Sequence, residues 1–399
     1  MQRLLLFLLV LIVSMLNGCA TMPGRGAAAE SAKAAAQSAE PRREAEQAPV
    51  ARTFPLESDM DAGLAPRGIP QSAQVALLLP LKSANFGPAA DAVRRGILAA
   101  SALQSGVPKL AIKVYPTSDQ IDDILSAYRQ AVQDGNQAVI GPLTRNAVTA
   151  LAQSGLATEP TLALNVPRRE DHAALPPHFY LFSLSVEDEA RQMAQRAFAE
   201  GRRSVILLTA NTPLAKRIQQ AFLDEWSRLG GTVAVQVGFS TNVADLSALR
   251  SRLKDYPADM VFIAAGARRA RLVRPYLGNT LLLYATSMVY GSRRPLKNID
   301  LSGVHFLDMP WLLQPDNAAV MAYPRLEGTA SLESQRLYAL GIDAFRLINL
   351  MMHGAPPAEI HLDGVTGKIH LAGEHFFARQ LLPAVFDQGQ VKADKTAGP

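Results

Sequence analysis

The chain contains a single cysteine, Cys19, among its 399 residues, so it cannot form an intramolecular disulfide. Its stability must therefore come from an ordinary hydrophobic core. Apolar residues make up 48% of the sequence, and the chain is long enough to build such a core.

Apolar runs long enough to cross a membrane are also missing. The apolar stretch Leu4–Val13 follows the short basic start Met1-Gln2-Arg3 and is shorter than the roughly 20 residues that span a bilayer. A short apolar stretch after a basic start is typical of a secretory signal peptide. We therefore predict that residues 1–18 are a signal peptide.

The residues Leu16-Asn17-Gly18-Cys19 resemble the lipobox of bacterial lipoproteins, in which the cysteine is acylated and becomes the new N-terminus. A chance free cysteine beside an ordinary cleavage site is the alternative, but lone free thiols are unusual in exported proteins. Lipid on Cys19 would anchor the chain, because two acyl chains suffice for stable attachment. Since Ala20 and not Asp follows, the resemblance implies the outer membrane, on its periplasmic side.

Large apolar residues are nearly missing from residues 19–73, which are rich in Ala, Glu, Gln, Arg, Pro and Gly. A segment of this composition cannot bury enough apolar surface to offset its chain entropy. We predict a disordered tether that follows the lipidated cysteine and has a root-mean-square reach of about 40 Å. Residues 392–399 are predicted to form a disordered tail.

Strand-like and helix-like segments alternate from Gln74 onwards. Short apolar runs such as residues 75–79 predict buried strands, and segments with helical spacing such as residues 89–103 follow them. This alternation predicts βαβ units and parallel sheets. The strands are too many for one comfortable sheet, so we predict an α/β domain of two Rossmann-like lobes. The assigned ranges are 74–391 for the domain, 74–183 and 287–355 for lobe 1, and 184–286 and 356–391 for lobe 2.

The two lobes, with a chain that crosses between them, resemble the type I periplasmic-binding-protein fold. Within it the sequence resembles the LpoA-type penicillin-binding-protein activators of the LppC lipoprotein family, over about residues 74–391. The stretches that carry this resemblance are 75–81, 139–143, 162–165, 182–190, 283–287 and, most specifically, Gly303-Val304-His305-Phe306-Leu307-Asp308-Met309-Pro310-Trp311 and Gly364-Val365-Thr366-Gly367-Lys368-Ile369.

The resemblance implies an outer-membrane lipoprotein that binds and stimulates a bifunctional (class A) penicillin-binding protein, which is a peptidoglycan synthase. Larger family members carry a helical-repeat domain between the lipid and the α/β domain. Here only the tether fills that place, so the sequence resembles a short form. The expected partners are the synthase, outer-membrane lipid through Cys19, and peptidoglycan as a further candidate. The formal net charge of +5 suits an acidic partner; no nucleic acid is expected, and the chain is expected to be a monomer.

Several short stretches match motifs of enzymes, but none lies in the structural context that catalysis requires. We therefore expect no enzyme, no cofactor and no metal site. Ser251-Arg252-Leu253-Lys254 matches Ser-x-x-Lys but lacks the companion motifs of such a nucleophile. Residues 364–369 partly match the motif of a phosphate-binding loop. The spacing between their glycines is shorter than that motif requires, so we interpret them as a turn between strands. His361, His370 and His375 lack the spacing of metal ligands.

A ligand of this fold would lie between the lobes, at the carboxyl ends of the strands. The residues of the predicted loops that could face such a cleft are Ser83, Asn85, Phe86, Gly87, Asn165, Asn211, Thr286 and Ser287. Amino-acid-binding relatives need a carboxylate for the ligand ammonium, whereas residues 265–269 offer only cations. We therefore expect the cleft not to bind free branched-chain amino acids.

The densest cluster of charged residues in the sequence consists of four arginines. They are Arg268, Arg269, Arg271 and Arg274. At helical spacing, Arg268 and Arg271 share a face, and Arg274 lies a further three residues along. A solvated helix face is the ordinary interpretation. The functional interpretation is a docking patch for an acidic protein surface. The alternative function for the whole chain is a lipid-anchored solute-binding protein for an amide, a peptide or a cell-wall fragment.

Overall fold

The computed structural model describes residues 73–104, 109–167, 174–326 and 330–394. The predicted signal peptide, Cys19, nearly all of the predicted tether and residues 395–399 lie outside the described residues. Within them, the strands are β1 (Gln74–Leu79), β2 (Ala111–Pro116), β3 (Ala138–Ile140), β4 (Thr161–Ala163), β5 (Phe179–Phe182), β6 (Ser204–Ala210), β7 (Thr232–Phe239), β8 (Met260–Ala264), β9 (Leu282–Ala285), β10 (Val304–Asp308), β11 (His361–Gly364), β12 (Gly367–Ala372), β13 (Phe376–Gln380), β14 (Leu382–Asp387) and β15 (Gln390–Ala393).

Helices connect most of the strands. They are α1 (Gly87–Ala102), α2 (Ile121–Gln133), α3 (Arg145–Gln153), α4 (Val186–Ala199), α5 (Pro213–Arg228), α6 (Val243–Leu253), α7 (Ala267–Val273), α8 (Pro310–Leu313), α9 (Ala318–Met321) and α10 (Leu332–Met352). Short 3-10 turns lie at Arg274–Tyr276, Ser287–Val289, Pro295–Lys297, Ile299–Leu301 and Pro357–Glu359.

Two sheets form two lobes. The first has the strand order β11-β12-β13-β5-β4-β3-β1-β2, and the second has the order β15-β14-β10-β9-β8-β6-β7. Pairing is parallel from β2 to β13 and from β7 to β10, and antiparallel beyond those strands. The prediction of an α/β domain with two mostly parallel sheets is confirmed.

The assignment of the later strands to lobes differs from the prediction. β10 was expected in lobe 1 but pairs with β9 and β14 in the second sheet. β11, β12 and β13 were expected in lobe 2 but extend the first sheet beside β5. The chain therefore crosses after β10 and not after β9. Short 3-10 turns, and not the helix that commonly links parallel strands, connect β9 to β10, so the usual sign of a βαβ unit is missing there. Apolar periodicity marks a strand as buried but does not say which sheet buries it.

The predicted disordered tail is partly wrong. β15 extends through Ala393 and pairs with β14, and Asp394 is buried. The Asp394 carboxylate lies 2.7 Å from His305 Nδ1 and accepts a hydrogen bond from Arg196 at 2.8 Å. Because these partners belong to β10 and α4, they attach the end of the described chain to the second lobe.

α1 and α10 cross on one face of the first sheet with almost no space between their backbones. A Cβ on Gly96 would lie 2.0 Å from the Tyr338 carbonyl oxygen. A Cβ on Gly341 would lie 2.1 Å from the Val93 carbonyl oxygen. Only glycine fits at either position, so this close crossing fixes how the start of α10 approaches the second lobe.

Candidate functional site

A cavity of about 480 Å³ lies between the two lobes. It is bounded by the carboxyl ends of several parallel strands and by the first turns of α4, α5 and α10, which is where ligands bind in open α/β sheets. Its lining residues are Leu143, Leu164, Asn165, Ser183, Leu184, Val186, Glu189, Leu214, Ser287, Met288, Tyr290, Gly291, Ser331, Leu332, Glu333, Arg336, Leu337 and Leu340.

Two capped helices bring charged side chains to this cavity. The Ser185 hydroxyl accepts a hydrogen bond from the Asp188 amide at the start of α4, which directs Glu189 inward from the first turn. The Ser331 hydroxyl accepts from the Ser334 amide at the start of α10, and Arg336 follows one turn later. Such caps satisfy amides that would otherwise lack partners, so both helix starts are well defined.

Arg336 joins the lobes through an ion pair. Its guanidinium, on α10, lies 2.6 Å from the Asp308 carboxylate at the end of β10. It also donates to the carbonyl oxygens of Ser287 and Tyr290, at 3.2 and 3.1 Å. The Asp308 side chain is 2% exposed, and at this depth removal of one partner of an ion pair costs about 3–5 kcal/mol.

Glu189 is a second buried charge at the contact between the lobes. Its carboxylate accepts a hydrogen bond from the Ser287 amide at 3.1 Å and lies 4.0 Å from the Arg379 guanidinium. Burial raises the pKa of Glu189 to about 7, although the nearby Arg379 opposes this shift. Glu189 therefore exchanges its proton near neutral pH, at a point where a helix of lobe 2 contacts β13 of lobe 1.

The network continues into the first lobe. Arg379 donates to the carbonyl oxygens of Ser183 and Thr366, at 3.0 and 3.2 Å. The amide and the hydroxyl of Thr366 both donate to the buried Asp343 carboxylate at 2.7 Å. A continuous set of hydrogen bonds and ion pairs thus runs from α10 through the β11–β12 turn to the segment that joins the lobes.

This arrangement suits binding and fixed geometry more than chemistry. The charged groups are paired with one another and with backbone carbonyls across the lobe contact. Removal of one partner of such a pair, with the other still buried, would leave an uncompensated charge and is costly. One polar group of the cavity lining is available to a ligand. Among the described residues, the buried Ser183 hydroxyl has no hydrogen-bond partner.

The structure brings together only part of the predicted cleft. Asn165 and Ser287 line the cavity, and Thr286 is buried beside it. Asn211 lies elsewhere, in a depression of about 350 Å³ beside β7. Ser83 accepts hydrogen bonds from the amides of Asn85 and Phe86 and shapes the turn before Gly87 and α1. Ser83, Asn85, Phe86 and Gly87 do not line the interlobe cavity.

The prediction that the cleft lacks a carboxylate for the ammonium group of an amino acid is wrong. That prediction considered only residues 265–269, which contribute no carboxylate to the cleft. Glu189 and Glu333 line the cavity instead, from α4 and α10. Glu189, Arg336 and Arg379 were not predicted from the sequence, although Glu189 shares the buried face of α4 with Ala190 and Met193. A charged residue on an apolar helix face was the available signal.

The four predicted docking arginines separate into two kinds. Arg268 and Arg269 are exposed on α7 and Arg271 is half-buried. Arg274 instead donates to the carbonyl oxygens of Ser302 and Gly278 and to the Asn279 side chain. Burial lowers the pKa of its guanidinium. Arg274 therefore connects loops of lobe 2 and is not free to dock.

Two of the three late histidines and the glycine motif belong to a β-hairpin, whereas His375 lies just before β13. His361 and His370 are paired in register on β11 and β12, and the Gly364–Gly367 pair closes a turn. The interpretation of residues 364–369 as a turn is confirmed. In the part of the chain that the structure describes, no group of three or more His, Cys, Asp or Glu residues could hold a metal ion.

Comparison with known sequences gives the family. The profile of the LppC lipoprotein family matches residues 42–389. The chain belongs to the LppC lipoprotein family. The penicillin-binding protein activator LpoA of Edwardsiella ictaluri is 30% identical over 84% of this chain and 54% of its own length. The protein of the same name from Pantoea ananatis is 29% identical over 70% of this chain and 47% of its own length. The chain thus spans about half the length of these relatives.

Solved structures give the fold. A protein from Chromobacterium violaceum described as a branched-chain amino acid ABC transporter is 35% identical, with a TM-score of 0.68 over 79% of this chain and 100% of its own. The LpoA C-domain from Haemophilus influenzae is 23% identical, with a TM-score of 0.66 over 81% of this chain and 100% of its own. These likenesses confirm the type I periplasmic-binding-protein-like fold. No described helix is both long and apolar enough to cross a bilayer.

Proposed function

We propose that this chain binds a bifunctional class A penicillin-binding protein and stimulates its peptidoglycan synthesis, without catalysis of its own. The observation that carries the proposal is the 30% identity to a penicillin-binding protein activator over 84% of the chain. The charged groups between the lobes support it, since they are paired with one another and with backbone carbonyls and so serve to join the lobes.

The activation needs no chemical group from this chain. A regulator shifts its partner by the difference in its affinity for the partner's less active and more active states. Such coupling usually amounts to about 1–3 kcal/mol, which corresponds to about 5–150-fold in affinity. Binding energy at an exposed surface of the domain is therefore sufficient.

Attachment to the outer membrane is part of the proposal. Lipid on Cys19, with residues 20–73 as a tether, would hold the domain at the periplasmic side and raise its effective concentration near a synthase within reach. Cys19→Ser should abolish acylation and leave the protein uncleaved or released from the membrane. A Cys19→Ser protein that still fractionates as a mature outer-membrane protein would contradict the anchor.

The binding step is tested with purified proteins. Each class A synthase of the source organism is immobilised, and binding of the full chain is measured by surface plasmon resonance. We expect saturable binding to at least one synthase and none to a monofunctional penicillin-binding protein, which serves as the control. Failure to bind every class A synthase would remove the proposal.

A solute-binding role is the second candidate. The cavity of about 480 Å³, its unpartnered Ser183 hydroxyl and the 35% identical relative from Chromobacterium violaceum favour it. A ligand present at about 100 times its dissociation constant should stabilise the fold by about 2.7 kcal/mol. Thermal unfolding with leucine, with a dipeptide and with a cell-wall muropeptide tests this role. If no ligand shifts the transition, the candidate is rejected.

A further inference from the structure

Between Met260 and Ile299 the chain contains no acidic residue, although it contains seven cationic ones. They are Arg268, Arg269, Arg271, Arg274, Arg293, Arg294 and Lys297. Within the described ranges, Arg268, Arg269, Arg293, Arg294 and Lys297 make no ion pair and are exposed. Exposed and unpaired like charges create a local field that attracts an anionic partner.

The loop of residues 291–299 presents three of these cations in a defined shape. The buried Asn298 side chain donates to the Ser292 carbonyl oxygen at 2.7 Å, which closes the loop. At Gly389, in the β14–β15 turn, a Cβ would lie 2.2 Å from the Pro295 carbonyl oxygen. This turn therefore packs directly against the loop and limits its movement.

Leu296 projects from the tip of this loop. It is 87% exposed, the highest value among the exposed large apolar residues of the described chain. It lies in the short 3-10 turn Pro295–Lys297, between Arg294 and Lys297. A leucine on a turn whose backbone is held in place can enter a pocket with little loss of backbone freedom on binding.

The loop and α7 form one surface. A Cβ on Gly291 would lie 2.9 Å from the Ala267 Cβ, so the start of the loop touches the first residue of α7. The 3-10 turn Ile299–Leu301 also contacts α7. Arg268 and Arg269 directly follow the residue that the start of the loop touches, and Arg293 and Arg294 lie two and three residues after Gly291. Arg269 and Arg293 are nevertheless 24 positions apart in the sequence.

We propose that the loop 291–299, with Arg268 and Arg269 beside it, is the surface that docks on an acidic protein partner, and that Leu296 enters an apolar pocket of that partner. This inference rests on the proposed function, in which the partner is the synthase. A second copy of this chain would bring the same cations together and is disfavoured. A lipid surface is disfavoured because membrane binding scales with buried apolar area, and one leucine supplies little.

Two variants test the surface in the binding measurement with the class A synthase. Leu296→Asp removes the apolar anchor, and we expect affinity to fall by about tenfold or more, as for a central interface residue. Arg294→Glu/Lys297→Glu reverses two flanking charges and should slow association and flatten its dependence on salt. The matched controls are Met321→Asp, at a residue 67% exposed elsewhere, and Arg250→Glu/Arg252→Glu, at exposed arginines of α6; both should bind as the unchanged chain does.

The outcomes separate this inference from the proposed function. If the unchanged chain binds no synthase, the proposed function fails. If the unchanged chain binds and both variants bind equally well, only the surface is wrong. Sedimentation that shows a dimer lost in Leu296→Asp, or Leu296-dependent binding to vesicles of anionic phospholipid, would also overturn the inference. Circular dichroism of each variant verifies that the fold is intact.

Discussion

Glu189 carries a carboxyl group into the contact between the lobes, where burial disfavours its charged form. Its pKa is raised from 4.5 to about 7. Below about pH 4.5 the group is neutral in the folded and the unfolded chain. Between 4.5 and 7 the unfolded chain releases the proton while the folded chain retains it, so stability from this group is lost as the pH rises.

Glu189→Gln replaces the titrating carboxyl group by a neutral amide, so comparison with the unchanged chain isolates the effect of this titration on stability. The stability of the unchanged chain relative to the variant should fall between about pH 4.5 and pH 7.5, by on the order of 3 kcal/mol. Urea unfolding of both proteins across this range measures the difference. A difference that stays constant with pH would mean that Glu189 has the same pKa in the folded and the unfolded chain.

Arg274 is expected to stabilise lobe 2, unlike the exposed Arg269. Arg274→Ala removes hydrogen bonds to the carbonyl oxygens of Ser302 and Gly278, and leaves these groups without the guanidinium. We expect a loss of about 1–3 kcal/mol of stability. Arg269→Ala on the exposed face of the same segment should change stability by less than about 0.5 kcal/mol. Equal effects in thermal unfolding would contradict the distinction.

Individual site residues were only partly predictable from the sequence. Asn165 and Ser287 follow β4 and β9, and position after a parallel strand was enough to place them at the cavity. Arg336 and Glu189 lie inside helices, where charge usually indicates a solvated face. The apolar face that Glu189 shares with Ala190 and Met193 was a signal for that residue. The burial of both charges nevertheless depends on the opposite lobe, whose position the pattern of a single helix does not give.

At the scale of elements, α1 and α10 cross with almost no space between their backbones. Gly96→Ala would place a Cβ 2.0 Å from the Tyr338 carbonyl oxygen, and Gly341→Ala one 2.1 Å from that of Val93. Neither oxygen can move without shifting its helix, so each variant should lose about 1–3 kcal/mol or more.

Gly238→Ala is the matched control for that prediction. The nearest atom to its added Cβ is the Thr209 carbonyl oxygen at 4.0 Å, which is an ordinary contact. We expect it to unfold at the same urea concentration as the unchanged chain or at a higher one, because alanine has less freedom to lose than glycine. If Gly96→Ala is as stable as Gly238→Ala, the helices do not cross as closely as described.

Most elements were predictable because their apolar period is strong. β1 is buried along residues 75–79, as its apolar run indicates, and α10 ends at Met352, shortly before Gly354. The partners of β10 and of the β11–β13 strands were not predictable. A buried strand looks the same in either sheet, and the choice depends on where the chain crosses.

At the scale of the whole molecule, the two lobes are connected through Asp308, Arg336, Glu189 and Arg379 as well as through the chain itself. These pairs form in the arrangement of the lobes described here. The loop 291–299 is held separately, by the packing of Gly389 against Pro295 within lobe 2, so little of its backbone would have to be ordered when a partner binds.

The rate of peptidoglycan synthesis is the most direct test of the proposed function. A purified class A synthase is supplied with its lipid-linked substrate, and glycan polymerisation and crosslinking are followed as the full chain is added. We expect at least one rate to rise and saturate with the concentration of the chain, while the chain alone forms no product. Unchanged rates with every class A synthase of the source organism, at concentrations that saturate binding, would contradict the proposed function.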